Sequence, residues 1–215
     1  MNSTVIEATD ELMKGINDFD TIKDKLVFRL IPLISIANDE EFIGTVIDDV
    51  AMVLYIQVGR KDGWLCTTKV KHDMFDSWGR TFDEIKDYVF KRMAKEQPVS
   101  GMDMFSFTKC GLKDFSGDCG TYLVTTEPPT NGAIAIFYPG VCKEIADKFN
   151  SDFYIVFTSI HEAVVHKKGT TSVESMYKSL RDTNKAFGPE DTLTDTVFFY
   201  NKEADTITIT KEYED

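Results

Sequence analysis

The sequence predicts an α+β fold, a mixed but mainly antiparallel sheet with flanking helices, and three observations carry that prediction. Apolar runs of strand length fall at 50–58, 64–70, 122–126, 153–157, 163–166, 196–200 and 206–210, and several are separated only by short polar breaks that favour antiparallel pairing. Capped amphipathic stretches stand among them. The strands and helices never settle into a regular βαβ repeat, which sets aside a doubly wound parallel architecture.

The elements follow in order. Thr4 and Glu7 form a capping-box pair with an apolar stripe at Val5, Ala8, Leu12 and Ile16, so a first helix is expected there. Residues 21–33 suit a helix through Ile22, Leu26 and Leu30 and a strand through LVFRLI, and Pro32 ends either one. Residues 38–41 are a polar break with a short helix expected after it. Residues 50–58 make the strongest strand of the first half, GRKDG at 59–63 is a turn, and 64–70 return as the antiparallel partner. A short helical piece at 72–76 leads to Trp78 and Gly79. Thr81 and Glu84 repeat the capping box, and Phe82, Ile85, Val89 and Met93 give a helix ending near Gln97 and Pro98.

Residues 99–101 are the linker candidate, dividing the chain into halves at 1–98 and 99–215 that can also pack as one domain. MFSFTK fits a strand, CGLKDFSGDCG an irregular loop, and 122–126 a short strand stopped by Pro128 and Pro129. Ser172 caps a helix with Val173, Met176, Tyr177, Leu180 and Phe187 on one side, ended by Gly188 and Pro189. In the closing hairpin the alternation of TITIT puts Ile207 and Ile209 inward and Thr206, Thr208 and Thr210 outward.

The stretch 131–168 organises the rest. Residues 133–138 read as a buried strand, and Pro139 stands in the first turn of a helix marked by Val141, Ile145, Ala146 and Phe149. Asn150 stops that helix, because Asn tolerates left-handed geometry. A strand at 153–157, a bend at Ser159, His161 and Glu162, and a third strand at 163–166 complete it. The first two strands can lie parallel across the helix, and the third folds back antiparallel. The same residues carry a resemblance. YPGVCKEIADKF followed by DFYIVFTSIHEAVV is similar to the signature of a bacterial family, domain of unknown function 5688. Ser159, His161 and Glu162 match its Ser-x-His-Glu ending, while Phe157 and Thr158 stand where the family has Pro and Ser. IKDKLVFRL, IDDVAMVLYIQV, SWGRTFDEI and SLRDTNKAFGPEDTLTDTVFFY extend the resemblance over most of the chain. It implies membership and no activity, since the family is uncharacterised.

Composition narrows the function classes. The 36 acidic and 24 basic side chains leave a net charge of −12, which argues against general nucleic-acid binding and against adsorption to anionic membranes. The acids are scattered rather than gathered in a tail, as on a solvated acidic surface. The N-terminus lacks a basic start and an apolar core segment, so the expected location is cytoplasmic. Cys66, Cys110, Cys119 and Cys142 show no CxxC spacing, and free thiols are expected there, with no metal and no cofactor.

Two constellations invite chemistry. Ser159, His161 and Glu162 supply the residue types of a nucleophile, a base and an orienting carboxylate. On an extended strand, however, Ser159 and His161 share one face and Glu162 takes the other. Local hydrogen bonding at the bend is the plainer role. Asp48 and Asp49 precede the strand at 50–58 and could hold Mg²⁺ with a phosphate, although a capped loop explains them as well. Arg60, Lys61, Lys69 and Lys71 are the densest cationic group, on or beside one hairpin, and Trp78 offers an aromatic surface or a core contact. The leading reading is a non-enzymatic protein-interaction module whose partner has a basic surface. The alternative is a hydrolase or phosphoryl-handling enzyme built on His161 and Glu162 or on Asp48 and Asp49. A narrower form of the first is an acidic phage or mobile-element inhibitor of a basic host protein.

Overall fold

A computed structural model describes residues 14–36, 42–61 and 64–210. Asp18 opens helix α1 (Phe19–Ile22) by accepting from the Asp20 N–H, and a 3-10 turn at Lys23–Lys25 leads into β1 (Leu26–Pro32). That strand lies antiparallel to β3 (Val50–Lys61), with Leu26 opposite Ile56 and Pro32 opposite Val50. The other edge of β3 is shared end to end by β2 (Gly44–Ile47) and β4 (Trp64–Lys69). Val53 is thus flanked by Arg29 and Gly44, and Tyr55 by Val27 and Lys69.

Helix α2 (His72–Ser77) precedes α3 (Phe82–Glu96). The Thr81 hydroxyl accepts from the Glu84 N–H at 3.3 Å and the Glu84 carboxylate accepts from the Thr81 N–H at 2.9 Å. This reciprocal cap satisfies two donors that a helix start leaves open. Helix α3 covers the Phe28 side of β1, where the Phe28 and Phe90 rings stand 5.0 Å apart.

The second half supplies β5 (Val99–Asp103), β6 (Thr108–Cys110), β7 (Thr121–Thr126), α4 (Val141–Phe149), β8 (Phe153–Ser159), β9 (Glu162–Lys167), α5 (Val173–Ala186), β10 (Val197–Asn201) and β11 (Thr206–Ile209). Its strands form a seven-stranded antiparallel sheet in the order β11-β10-β8-β9-β7-β5-β6. The fold is α+β. Phe153, Ile155 and Phe157 on one face of β8 join a hydrophobic cluster that reaches back to Leu26 and Leu54 in the first sheet. Tyr154 and Val156, on the other face, pack with Val197 against Met176 and Leu180 of α5.

Several expectations need correction. Residues 133–138 are not a strand: Gly132–Phe137 is a buried 3-10 helix, so no parallel pair forms. An apolar run buried on all sides has no period to separate the two conformations. The helix expected beyond the polar break is β2, pinned to β3 by a two-residue turn in which Asp48 takes a positive φ of 53°. Strand β3 runs on through Gly59 to Lys61, past a bulge between Gln57 and Gly59. The expected linker at 99–101 lies within β5, hydrogen-bonded to β6 and β7. Thr206 and Thr208 are exposed and Ile207 packs inward as the alternation predicts, but Ile209 is 38% exposed and Thr210 is buried, the reverse of it. Among the described residues edge strand β11 pairs only with β10, and beyond it the Thr210 N–H turns in to donate to the Val197 carbonyl at 3.0 Å. The first helix lies almost wholly outside the described residues, as does the break at 38–41.

Candidate functional site

His161 sits in the turn between β8 and β9. Its Nδ1 accepts from the Asn131 backbone N–H at 3.0 Å, which places the ring proton of the neutral imidazole on Nε2. Nε2 stands 3.5 Å from the Asp191 carboxylate. The Ser159 hydroxyl accepts from the His161 N–H at 3.0 Å, and the Thr125 hydroxyl donates to the His161 carbonyl at 2.7 Å. Glu162 faces elsewhere, accepting from Thr158 at 3.3 Å. Ser159 therefore meets the backbone of His161, and its hydroxyl and the imidazole have different partners. The local sequence builds this arrangement. Asn131 adopts a left-handed φ of 56°, and a Cβ on Gly132 would come within 2.6 Å of the His161 carbonyl and 2.1 Å of the Thr125 hydroxyl. Only glycine lets the 3-10 helix approach the turn so closely.

Asp49 occupies a different place. Its Oδ2 accepts from the hydroxyls of Thr194 and of Thr196, the latter at 2.7 Å, and its carbonyl accepts from the Leu33 N–H at 2.9 Å. Its Oδ1 is shielded from solvent without a partner. Asp48 turns away and accepts from the Ile209 N–H at 3.2 Å. Asp49 lines an open cleft of about 890 Å³ between the end of β1, α5 and residues 187–195. Pro32, Leu33 and Leu193 give it apolar walls, Arg181 and Lys185 approach from α5, and Asn184 donates to the Thr194 carbonyl at 2.9 Å. Ile34 and Phe187 line it while remaining 82% and 47% exposed. The segment 188–196 joins the two places, since Asp191 meets His161 and Thr194 meets Asp49. Ser159, His161 and Asp48 do not line the cleft.

The family of unknown function DUF5688 matches residues 3–202, nearly the whole length of the chain. The chain belongs to DUF5688. No curated protein and no solved structure matches it.

The other candidates of this DUF5688 chain are dispersed. Trp78 is buried, donates through Nε1 to the Ile16 carbonyl at 2.8 Å and packs beside Phe19 and Phe75, so it presents no ring to a pocket. Arg60 and Lys61 lie at the far end of β3, Lys69 ends β4, and Lys71 is the residue before α2. The four thiols are free, with Cys142 buried and pushed up to about 12 by that burial. No group of three or more His, Cys, Asp or Glu side chains suited to a metal exists among the described residues. No helix of those residues is long and apolar enough to cross a membrane. Sequence reading missed Asn131, Asp191 and the two threonines on Asp49, because each meets its partner from a distant part of the chain. Arg29 was also missed. A single charge in LVFRLIP was its signal, because a strand otherwise apolar must provide for a lone guanidinium.

Proposed function

We propose that this DUF5688 protein is a non-enzymatic protein-interaction module that seats an apolar segment of its partner in the cleft beside α5. The observation that supports this most directly is the exposure of Ile34 and Phe187, at 82% and 47%, on a concave surface walled by Pro32, Leu33 and Leu193. Large apolar side chains left to water around a cavity are the mark of a recognition surface. The separation of Asp49 from Ser159 and His161 removes the geometric basis for combining them in a reaction. The partner has a basic surface, complementary to the chain's −12 charge, and the exposed Asp195 on the cleft can face a basic residue flanking the apolar segment.

Photocrosslinking in the native cell tests the proposal. A photoreactive phenylalanine analogue at Ile34 or Phe187 is expected to capture one and the same protein, with a yield that falls as salt rises. The same analogue at Phe105, which is 73% exposed on the β5–β6 turn, is the control. Equal capture from Phe105, or none from either cleft position, defeats the reading. In a parallel gel shift the protein should leave DNA and RNA unretarded at physiological salt. Tight retardation abolished by neutralising Arg60, Lys61, Lys69 and Lys71 would replace the basic partner with nucleic acid.

A further inference from the structure

We propose that Arg29 is the centre of a second binding site, one that takes a small oxyanion, a carboxylate or a phosphate group. Arg29 is the single charged residue of β1 and lies half-buried. Register places it on the same face of the four-stranded sheet as Tyr55, Thr67 and Lys69. Its guanidinium carbon stands 5.2 Å from the centre of the Tyr55 ring. One Nη donates to the Thr67 hydroxyl at 2.9 Å and the other to the Asn131 side-chain oxygen at 3.2 Å. Both acceptors are neutral, and no carboxylate pairs with Arg29 among the described residues. The Nε–H is shielded from water without any acceptor.

A half-buried guanidinium normally finds a carboxylate, because its desolvation is offset only by an opposite charge or a full set of hydrogen bonds. Here the ring of Tyr55, Thr67 and Asn131 holds the charge in place and leaves its Nε–H unused. That group and a neighbouring Nη–H form the planar fork that a carboxylate or phosphate engages through two oxygens. None of Arg29, Tyr55, Thr67 or Asn131 lines the α5 cleft, so the site stands independently of the partner proposal.

Thermal melts with inorganic phosphate or acetate at about 20 mM, against chloride at matched ionic strength, test it. A bound anion should raise the melting midpoint by about 2–4 °C. Arg29→Met, which keeps the bulk, should lose the rise, and Arg29→Lys should keep only part of it, since an ammonium cannot form the fork. A response to phosphate alone identifies a phosphorylated ligand, and one to acetate alone a carboxylate. An NMR titration of the wild-type protein serves even if the variants fail to fold. The ring signals of His161, joined to Arg29 through Asn131, should move while those of His72 stay. No rise with either anion, an equal rise in Arg29→Met, or an unmoved His161 overturns the proposal.

Discussion

His161 acts on the backbone before it acts on anything else. By accepting from the Asn131 N–H it ties the β8–β9 turn to the start of the 3-10 helix, while Thr125 and Ser159 hold its own peptide groups. His161→Ala should cost about 1 kcal/mol, because the Asn131 donor is left without its acceptor. Urea melts read that loss directly. Gly132→Ala should cost more, about 2–4 kcal/mol, since the added methyl meets the Thr125 hydroxyl and, even if that side chain turns aside, the backbone at the His161 carbonyl and the Thr126 nitrogen. Asp49→Asn tests the other centre. Two hydroxyls lose a charged acceptor, and a destabilisation of about 1–2 kcal/mol by urea melt is expected.

At the scale of elements, helices were the most legible part of the chain. Both capping signals within the described residues are realised, by Thr81 with Glu84 and by Ser172 with the Ser175 N–H. Thr81→Ala should therefore cost about 1 kcal/mol in a thermal or urea melt. Strands that pair with a sequence neighbour were legible too, as β3 with β4 and β8 with β9 show. What failed was local environment. The run at 133–138 carries strand-forming residues, but the left-handed turn at Asn131 and the close approach at Gly132 wind it into a 3-10 helix. The turn residues His161, Asp48 and Asp49 could be picked out as polar groups at strand ends, yet their partners at Asn131, Ile209 and Thr194 are set by tertiary packing alone.

Across the whole molecule, acid should destabilise the protein through His166 as well as through its carboxylates. Burial beside Thr121 and Thr171 pushes the His166 imidazole down to about 4. The unfolded chain takes that proton near pH 6.5, so between these values the unfolded state binds more protons and stability falls as pH drops. The loss by pH 4 is on the order of 2–3 kcal/mol. His166→Gln should flatten this part of the pH profile while the carboxylate contribution persists, which urea melts from pH 7.5 to 4 would show.

The chain order of the seven-stranded sheet bears on how the protein is made. Strand β8 lies between β9, its immediate successor, and β10, which follows only after α5. A nascent chain that has reached the end of α5 therefore presents the backbone N–H and C=O groups of Phe153 to Val156, which β10 later pairs, as an open edge. Such an edge recruits strands from other chains unless it is covered. Until residues 197–201 leave the ribosome, this inner strand of the larger sheet keeps one edge unpaired. A gene stopped at codon 196 should yield aggregate rather than a shortened domain.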